Sequence, residues 1–106
     1  MSDPTSTAKP PIRSEFAEDP DFRDLLEAFV EAIPERRRLL AELHRSGSLE
    51  ELGRQAHQVK GAGGGYGFPQ ISAAGADLQH ACRAQDAVRI EQALTRLLDL
   101  LGRVEA

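Results

Sequence analysis

The 106-residue sequence is poor in cysteine and in aromatic residues, and it contains no long apolar run. Its single cysteine, Cys82, cannot form an internal disulfide, so nothing indicates an oxidising compartment. No segment approaches the roughly 20 apolar residues of a membrane-spanning helix, and the polar N-terminus lacks the apolar core of a signal peptide. These absences predict a cytoplasmic protein that does not contact the membrane.

Positive charge is also scarce. The chain has 13 Lys and Arg residues against 17 Asp and Glu residues, a net charge of -4. It has no Trp, one Tyr and four Phe, so few side chains could stack on bases. This composition argues against a nucleic-acid partner. The length allows one compact domain with a single core.

Strand-like alternation is absent and β-branched residues are few, so the chain is expected to be all-α. Residues 1–17 are rich in Ser, Thr and Pro, and Pro10-Pro11 is incompatible with a helix. We therefore expect a flexible N-terminal tail over residues 1–17, followed by a helical domain over residues 18–106.

The first half of that domain predicts two helices. Asp19 and Pro20 form a helix start, Pro34 ends the first helix and opens the second, and Gly47 ends the second. Apolar residues recur at spacings of three and four and are expected to face the core. They are Phe22, Leu25, Leu26, Phe29, Val30, Ile33, Leu39, Leu40 and Leu43.

Three further helices are predicted in the second half. Ser48 and Glu51 have the spacing of a capping box, Phe68-Pro69 begins the next helix, and Asp86 caps the last one. Four or five amphipathic helices with short connections favour an antiparallel bundle.

The third predicted helix carries an exposed histidine. Its core stripe consists of Leu49, Leu52, Ala56, Val59, Gly63 and Tyr66. His57 lies roughly 130° from the centre of that stripe at 100° per residue, so its ring is expected to face solvent. Its neighbours one turn away are Gly53, Lys60, Gly61 and Gly64. Three of the four have no side chain, which predicts access for a broad partner. Gly63 instead lies towards the core, where it would allow a close helix contact.

These residues suit a phosphoryl carrier. A neutral imidazole is a nucleophile at physiological pH, and the Lys60 ammonium can screen the charge of a phosphoryl group on the ring. An enzyme would also need an orienting base partner or a metal. The glycine cluster lacks the Gly-Lys-Ser/Thr of a nucleotide-binding loop, and Asp77 with His80 is too small a set for a metal site. We expect no enzymatic activity, cofactor or metal in this chain.

The segment Ala56-His57-Gln58-Val59-Lys60-Gly61, with the residues that follow it, resembles the histidine phosphotransfer (HPt) family. The family pattern is a histidine, a hydrophobic residue two positions later, then Lys-Gly, a second glycine and a helix ending in Leu-Glu. The matching downstream positions are Gly67, Ile71, Ala74, Leu78 and Gln79. Gln79 departs from the pattern, because the family often has glutamate there.

The resemblance implies an antiparallel four-helix bundle with a short additional N-terminal helix. His57 would then be the phospho-acceptor, Lys60 the charge-stabilising residue and Gly61 part of the opening for the partner. The implied partners are receiver domains of response regulators or of hybrid histidine kinases, and the receiver supplies Mg²⁺. We expect the chain to act as a monomer in a two-component phosphorelay.

An alternative from another class is a non-phosphorylated helical module that docks or inhibits a kinase or receiver. Such a module would use the same surface around His57 without needing the imidazole. Replacing His57 by Gln separates the two hypotheses, because transfer needs the ring and docking does not.

Overall fold

The computed structural model describes residues 9–105, and these residues form four α-helices and one pair of short parallel strands. The helices are α1 (Arg23–Arg45), α2 (Leu49–Gly65), α3 (Pro69–Ala84) and α4 (Ala87–Gly102). The strands are β1 (Ile12–Arg13) and β2 (Val104–Glu105). The predicted all-α bundle of four helices is confirmed.

Helix α1 is continuous through Pro34, so the prediction that this proline separates two helices is wrong. Proline cannot donate the hydrogen bond that the Val30 carbonyl would accept, which costs the helix one bond. Leu26, Ile33 and Leu40 recur at intervals of seven residues and are all buried on either side of the proline. Packing of this continuous apolar face outweighs the lost hydrogen bond.

The short additional N-terminal helix is not confirmed: ahead of α1, within residues 9–105, Pro20–Phe22 form a single 3₁₀ helical turn that leads directly into α1. Asp19 caps this turn as expected, because its side chain accepts a hydrogen bond from the backbone N–H of Asp21.

Helices α2, α3 and α4 start where the sequence predicts, but the expected capping bond of α2 is not formed. Proline stands in the first turn of α3, and the Asp86 side chain caps α4 by accepting from the backbone N–H of Arg89. Ser48 holds the N-cap position of α2 but makes no side-chain capping bond. Its hydroxyl instead lies 2.9 Å from that of Ser46, so the predicted capping box does not form.

The core is built from the apolar faces of all four helices. Its fully buried side chains include Leu40, Leu52, Val59, Phe68, Ile71, Leu78, Leu97 and Leu101. Leu25 and Leu39, which were expected to face inward, are exposed at 48% and 39%. The two are fourteen residues apart, or about four helical turns, so they lie on the same side of α1. Their exposure shows that this side is not covered by the other helices.

Residues 9–17 contact the bundle, which differs from the flexible tail predicted for this stretch. Ile12 pairs in parallel with Val104, and the Glu15 N–H donates to the Gly67 carbonyl at 2.8 Å. Ser14 is buried, and its hydroxyl donates to the Tyr66 carbonyl. These backbone contacts can form because an extended proline-bearing segment leaves its other peptide groups free to pair. The remainder of the predicted tail, residues 1–8, lies outside the described residues.

Within residues 9–105, no helix is both long enough and apolar enough to cross a membrane.

Candidate functional site

His57 lies on the exposed side of α2, as its position in the helical period predicts. Its Nδ1 atom is 3.2 Å from the amide nitrogen of Gln79, which is carried by α3. Among the described residues, Nε2 of the ring has no hydrogen-bond partner. One ring nitrogen is therefore held by the neighbouring helix, and the other is free.

The surface that follows His57 along α2 is open. A Cβ atom placed at Gly61 or at Gly65 would have no neighbour within 4 Å, apart from adjoining residues and the backbone of its own helix. At Gly64 it would meet only the Ser72 hydroxyl, at 3.6 Å. The absence of side chains at these positions is therefore not required by packing, and it leaves the imidazole uncrowded on this side.

Gly53 has a different environment from Gly61 and Gly64, although all three flank the histidine. It is half-buried, and a Cβ atom there would lie 3.3 Å from the Cβ atom of Cys82 on α3. Gly53 therefore allows α2 and α3 to approach each other, in addition to bordering the surface around His57.

Gly63 shows the close helix contact that its inward position predicts. It is buried, and a Cβ atom there would lie 2.8 Å from the Ser72 backbone nitrogen. That distance is too short for a real side chain, so the pairing of α2 with α3 depends on glycine at this point.

Cationic side chains lie on the same face as the histidine although the protein is acidic overall. Lys60, one turn after His57, is exposed and forms no ion pair within residues 9–105. Arg83 on α3 likewise has no ion-pair partner there, whereas Arg54 lies 3.3 Å from Glu51. Two free cations thus lie on the face that presents the ring.

A groove of about 510 Å³ borders His57 on the side opposite Gly61. Gly53 and Cys82 lie along it, and Arg54, Arg83 and Glu50 contribute its charged residues. Cys82 is buried, and this burial raises the pKa of its thiol. The thiol is therefore protonated at neutral pH and packs as a small core residue.

The other candidate groups stay apart from this site. His80 is exposed and lines a separate groove with Asp77, Arg89 and Arg96. In the part of the chain that the structure describes, no three His, Cys, Asp or Glu side chains are close enough together to hold a metal ion.

Comparison with protein-family models gives a match to the Hpt domain over residues 24–106. The match begins at the second residue of α1 and includes all four helices. This chain belongs to the Hpt domain family. It is therefore a phosphotransfer-type domain of two-component signalling, a class of phosphocarrier module that interacts with receivers or kinases. Comparisons with curated proteins and with solved structures gave no match.

The main contact of this Hpt domain that sequence reasoning missed is the one between Gln79 and His57. The family pattern drew attention to position 79 without indicating what its side chain touches. The two residues are 22 positions apart, so only the packing of α3 against α2 brings them together. Gly75 was also missed, although a glycine inside a helix costs about 1 kcal/mol relative to alanine and so calls for an explanation.

Proposed function

We propose that this Hpt domain carries a phosphoryl group on His57 and exchanges it with aspartates of receiver domains. The proposal depends mainly on the exposure and hydrogen bonding of the His57 imidazole, in a chain that belongs to a family of phosphocarriers. Its ring is exposed, its Nδ1 is held by Gln79, and its Nε2 is free of hydrogen-bond partners among the described residues.

Gln79 would set which ring nitrogen reacts. An amide has both a donor and an acceptor, so it can pair with Nδ1 in either tautomer of the neutral ring. In the structure the amide nitrogen faces Nδ1 and can only donate to it, which places the ring proton on Nε2. Rotation of the amide by 180° exchanges its nitrogen and oxygen; the oxygen then accepts the Nδ1 proton, and the lone pair is on Nε2, the nitrogen without a partner. Gln79 therefore acts as a positioning residue, and Nε2 is the proposed nucleophile.

The transfer step balances without a proton leaving the ring. The Nε2 lone pair attacks the phosphorus of a receiver aspartyl phosphate, so that an N–P bond forms and the acyl O–P bond breaks. The aspartate leaves as a carboxylate, and the phosphorylated ring retains its Nδ1 proton towards Gln79. Onward transfer is the same step in reverse, with the carboxylate of a second receiver as the nucleophile.

Lys60 would stabilise the phosphoryl oxygens. It is one turn from His57, is exposed, and has no ion-pair partner within residues 9–105. An ammonium that is free before transfer can contact the phosphoryl group without first breaking another interaction. Mg²⁺ belongs to the receiver in this proposal, and the Hpt chain supplies no cofactor.

The surface around His57 fits the docking of a receiver. Gly61 and Gly64 leave one side of the ring flat, and the groove with Gly53 lies on the other. Lys60 and Arg83 favour a partner with negative charge near its phosphorylated aspartate. We propose that the domain works in the cytoplasm as a monomer, with receivers of response regulators or hybrid kinases as partners.

A transfer assay tests this function. Receiver domains from the same organism are phosphorylated with a radiolabel, incubated with the Hpt chain and then with a second receiver. We expect label to pass through the chain with at least one receiver, and the His57→Gln variant to bind that receiver without becoming labelled. Binding without transfer by the wild-type chain would instead support the docking module.

A further inference from the structure

Gly75 is buried on α3 against the part of α2 that carries the histidine. A Cβ atom placed at Gly75 would lie 2.9 Å from the Lys60 backbone nitrogen and 3.0 Å from the Ala56 carbonyl oxygen. Ordinary contacts of a Cβ atom begin at 3.4 Å, so alanine would require the helices to separate by about half an ångström. Both contacted atoms belong to backbone and cannot turn aside.

The segments of α2 and α3 that meet at Gly75 also carry the His57 imidazole and the Gln79 side chain that contacts it. Ala56 and Lys60 flank His57 on α2, and Gln79 lies one turn after Gly75 on α3. The Gln79–His57 separation of 3.2 Å is already at the long end of the range for a hydrogen bond. An increase of half an ångström at this level would break the contact.

We infer that Gly75 is a positioning residue for the phosphotransfer histidine. Its missing side chain sets the distance between α2 and α3 at which Gln79 reaches Nδ1, and Gln79 in turn fixes the ring. The inference rests on the proposed function in one respect, namely that the ring held in this way is the phosphoryl acceptor.

Gly63 provides a matched control. It also lies between α2 and α3, and a Cβ atom there would be 2.8 Å from the Ser72 nitrogen, an even shorter distance. Gly63 is six residues from His57, and its contact on α3 is seven residues from Gln79. Alanine at this position would strain the same helix pair without disturbing the ring.

The experiment compares Gly75→Ala, Gly63→Ala and Gln79→Ala with the wild-type chain. ¹⁵N NMR of the imidazole reports whether Nδ1 is hydrogen-bonded. Gln79→Ala serves as the reference, because its ring has lost the side chain that contacts Nδ1. We expect the His57 ring shifts of Gly75→Ala to match those of Gln79→Ala, and those of Gly63→Ala to match wild type. Phosphorylation of His57 by phosphoramidate, a small donor that needs no partner, should slow about fivefold in Gly75→Ala and Gln79→Ala only.

Wild-type ring shifts in a folded Gly75→Ala variant would overturn the inference, as would an equal change in Gly63→Ala. If Gly75→Ala does not fold, the spectrum is recorded on the double variant Gly65→Ala/Gly75→Ala. Alanine at Gly65 meets no neighbour within 4 Å and stabilises α2, because alanine has a higher helix propensity than glycine. Continued failure to fold there would also overturn it, because Gly75 would then be needed for the bundle and not specifically for the ring. The ring spectrum does not depend on a receiver, so failure of the proposed function appears separately, as absent transfer by the wild-type chain.

Discussion

The amide of Gln79 lies 3.2 Å from Nδ1 of His57, so a residue of α3 holds the side chain that α2 presents to solvent. The remaining ring nitrogen has no partner among the described residues, and the same face carries Gly61, Lys60 and Arg83.

Lys60→Ala is expected to slow transfer from a receiver about tenfold or more, because the phosphoryl oxygens lose a charge-assisted contact. The melting temperature should hardly change, since the side chain is exposed and unpaired within residues 9–105. Single-turnover transfer and thermal denaturation measure the two effects. Lys60→Arg, which keeps the charge, should retain most of the rate, and a large loss of stability in Lys60→Ala would contradict the assignment.

Gly61→Leu is expected to block the receiver without unfolding the domain. A leucine there would lie over the turn that carries His57, in space that the protein leaves empty. The free energy of unfolding should stay the same or rise by up to about 1 kcal/mol, because leucine favours the helix more than glycine does.

Two rates are measured for Gly61→Leu, namely phosphoryl transfer from a receiver and labelling by phosphoramidate. The same two rates are measured for the control variant Thr95→Leu. Thr95 is an exposed position on α4, away from α2. We expect Gly61→Leu to lose receiver transfer and keep most chemical labelling, and Thr95→Leu to keep both. Undiminished receiver transfer in Gly61→Leu would show that this side of the ring is not the docking surface.

Ser14→Ala is expected to lower the free energy of unfolding by about 1–3 kcal/mol, because it removes a buried hydroxyl that bonds to the Tyr66 carbonyl and the Phe16 N–H. Urea denaturation gives the value. Ser46→Ala is the matched control, since that hydroxyl makes comparable bonds in an exposed position, and it should change stability by less than about 0.5 kcal/mol. Equal effects in the two variants would mean that burial of the Ser14 hydroxyl adds nothing to stability.

Cys82 should react slowly with iodoacetamide in the folded protein and quickly in urea. Burial raises the pKa of its thiol, so at a given pH less of it is the reactive thiolate than in the unfolded chain. The rate should therefore rise with pH over a range that lies higher for the folded state than for the unfolded state. Identical pH profiles in the two states would contradict a buried thiol.

Local sequence signals predicted most of the fold. Proline in the first turn at Pro69 and the cap at Asp86 gave the starts of α3 and α4, and helical periodicity placed His57 outside the core. Each of these features depends on residues within one or two turns, which a single sequence displays.

The errors arose where tertiary contacts outweigh local preference. Pro34 is tolerated because the buried face of α1 continues on both sides of it, and residues 9–17 contact the bundle through Ile12 and Ser14. The contacts of Gln79 and Gly75 were not predictable in the same way, since they depend on how far apart two helices pack. A separation of that kind is set by many side chains together and cannot be derived from the spacing of residues along one helix.

The phosphoryl group is proposed to reside on His57, and direct location of the label tests this assignment. The chain is labelled by a phosphorylated receiver, the stability of the label to acid and base is measured, and the labelled peptide is identified by mass spectrometry. We predict an acid-labile, base-stable label on the peptide that contains His57, absent in His57→Ala and present in His80→Ala. Retained label in His57→Ala, or its loss in His80→Ala alone, would show that His57 is not the phosphoryl acceptor.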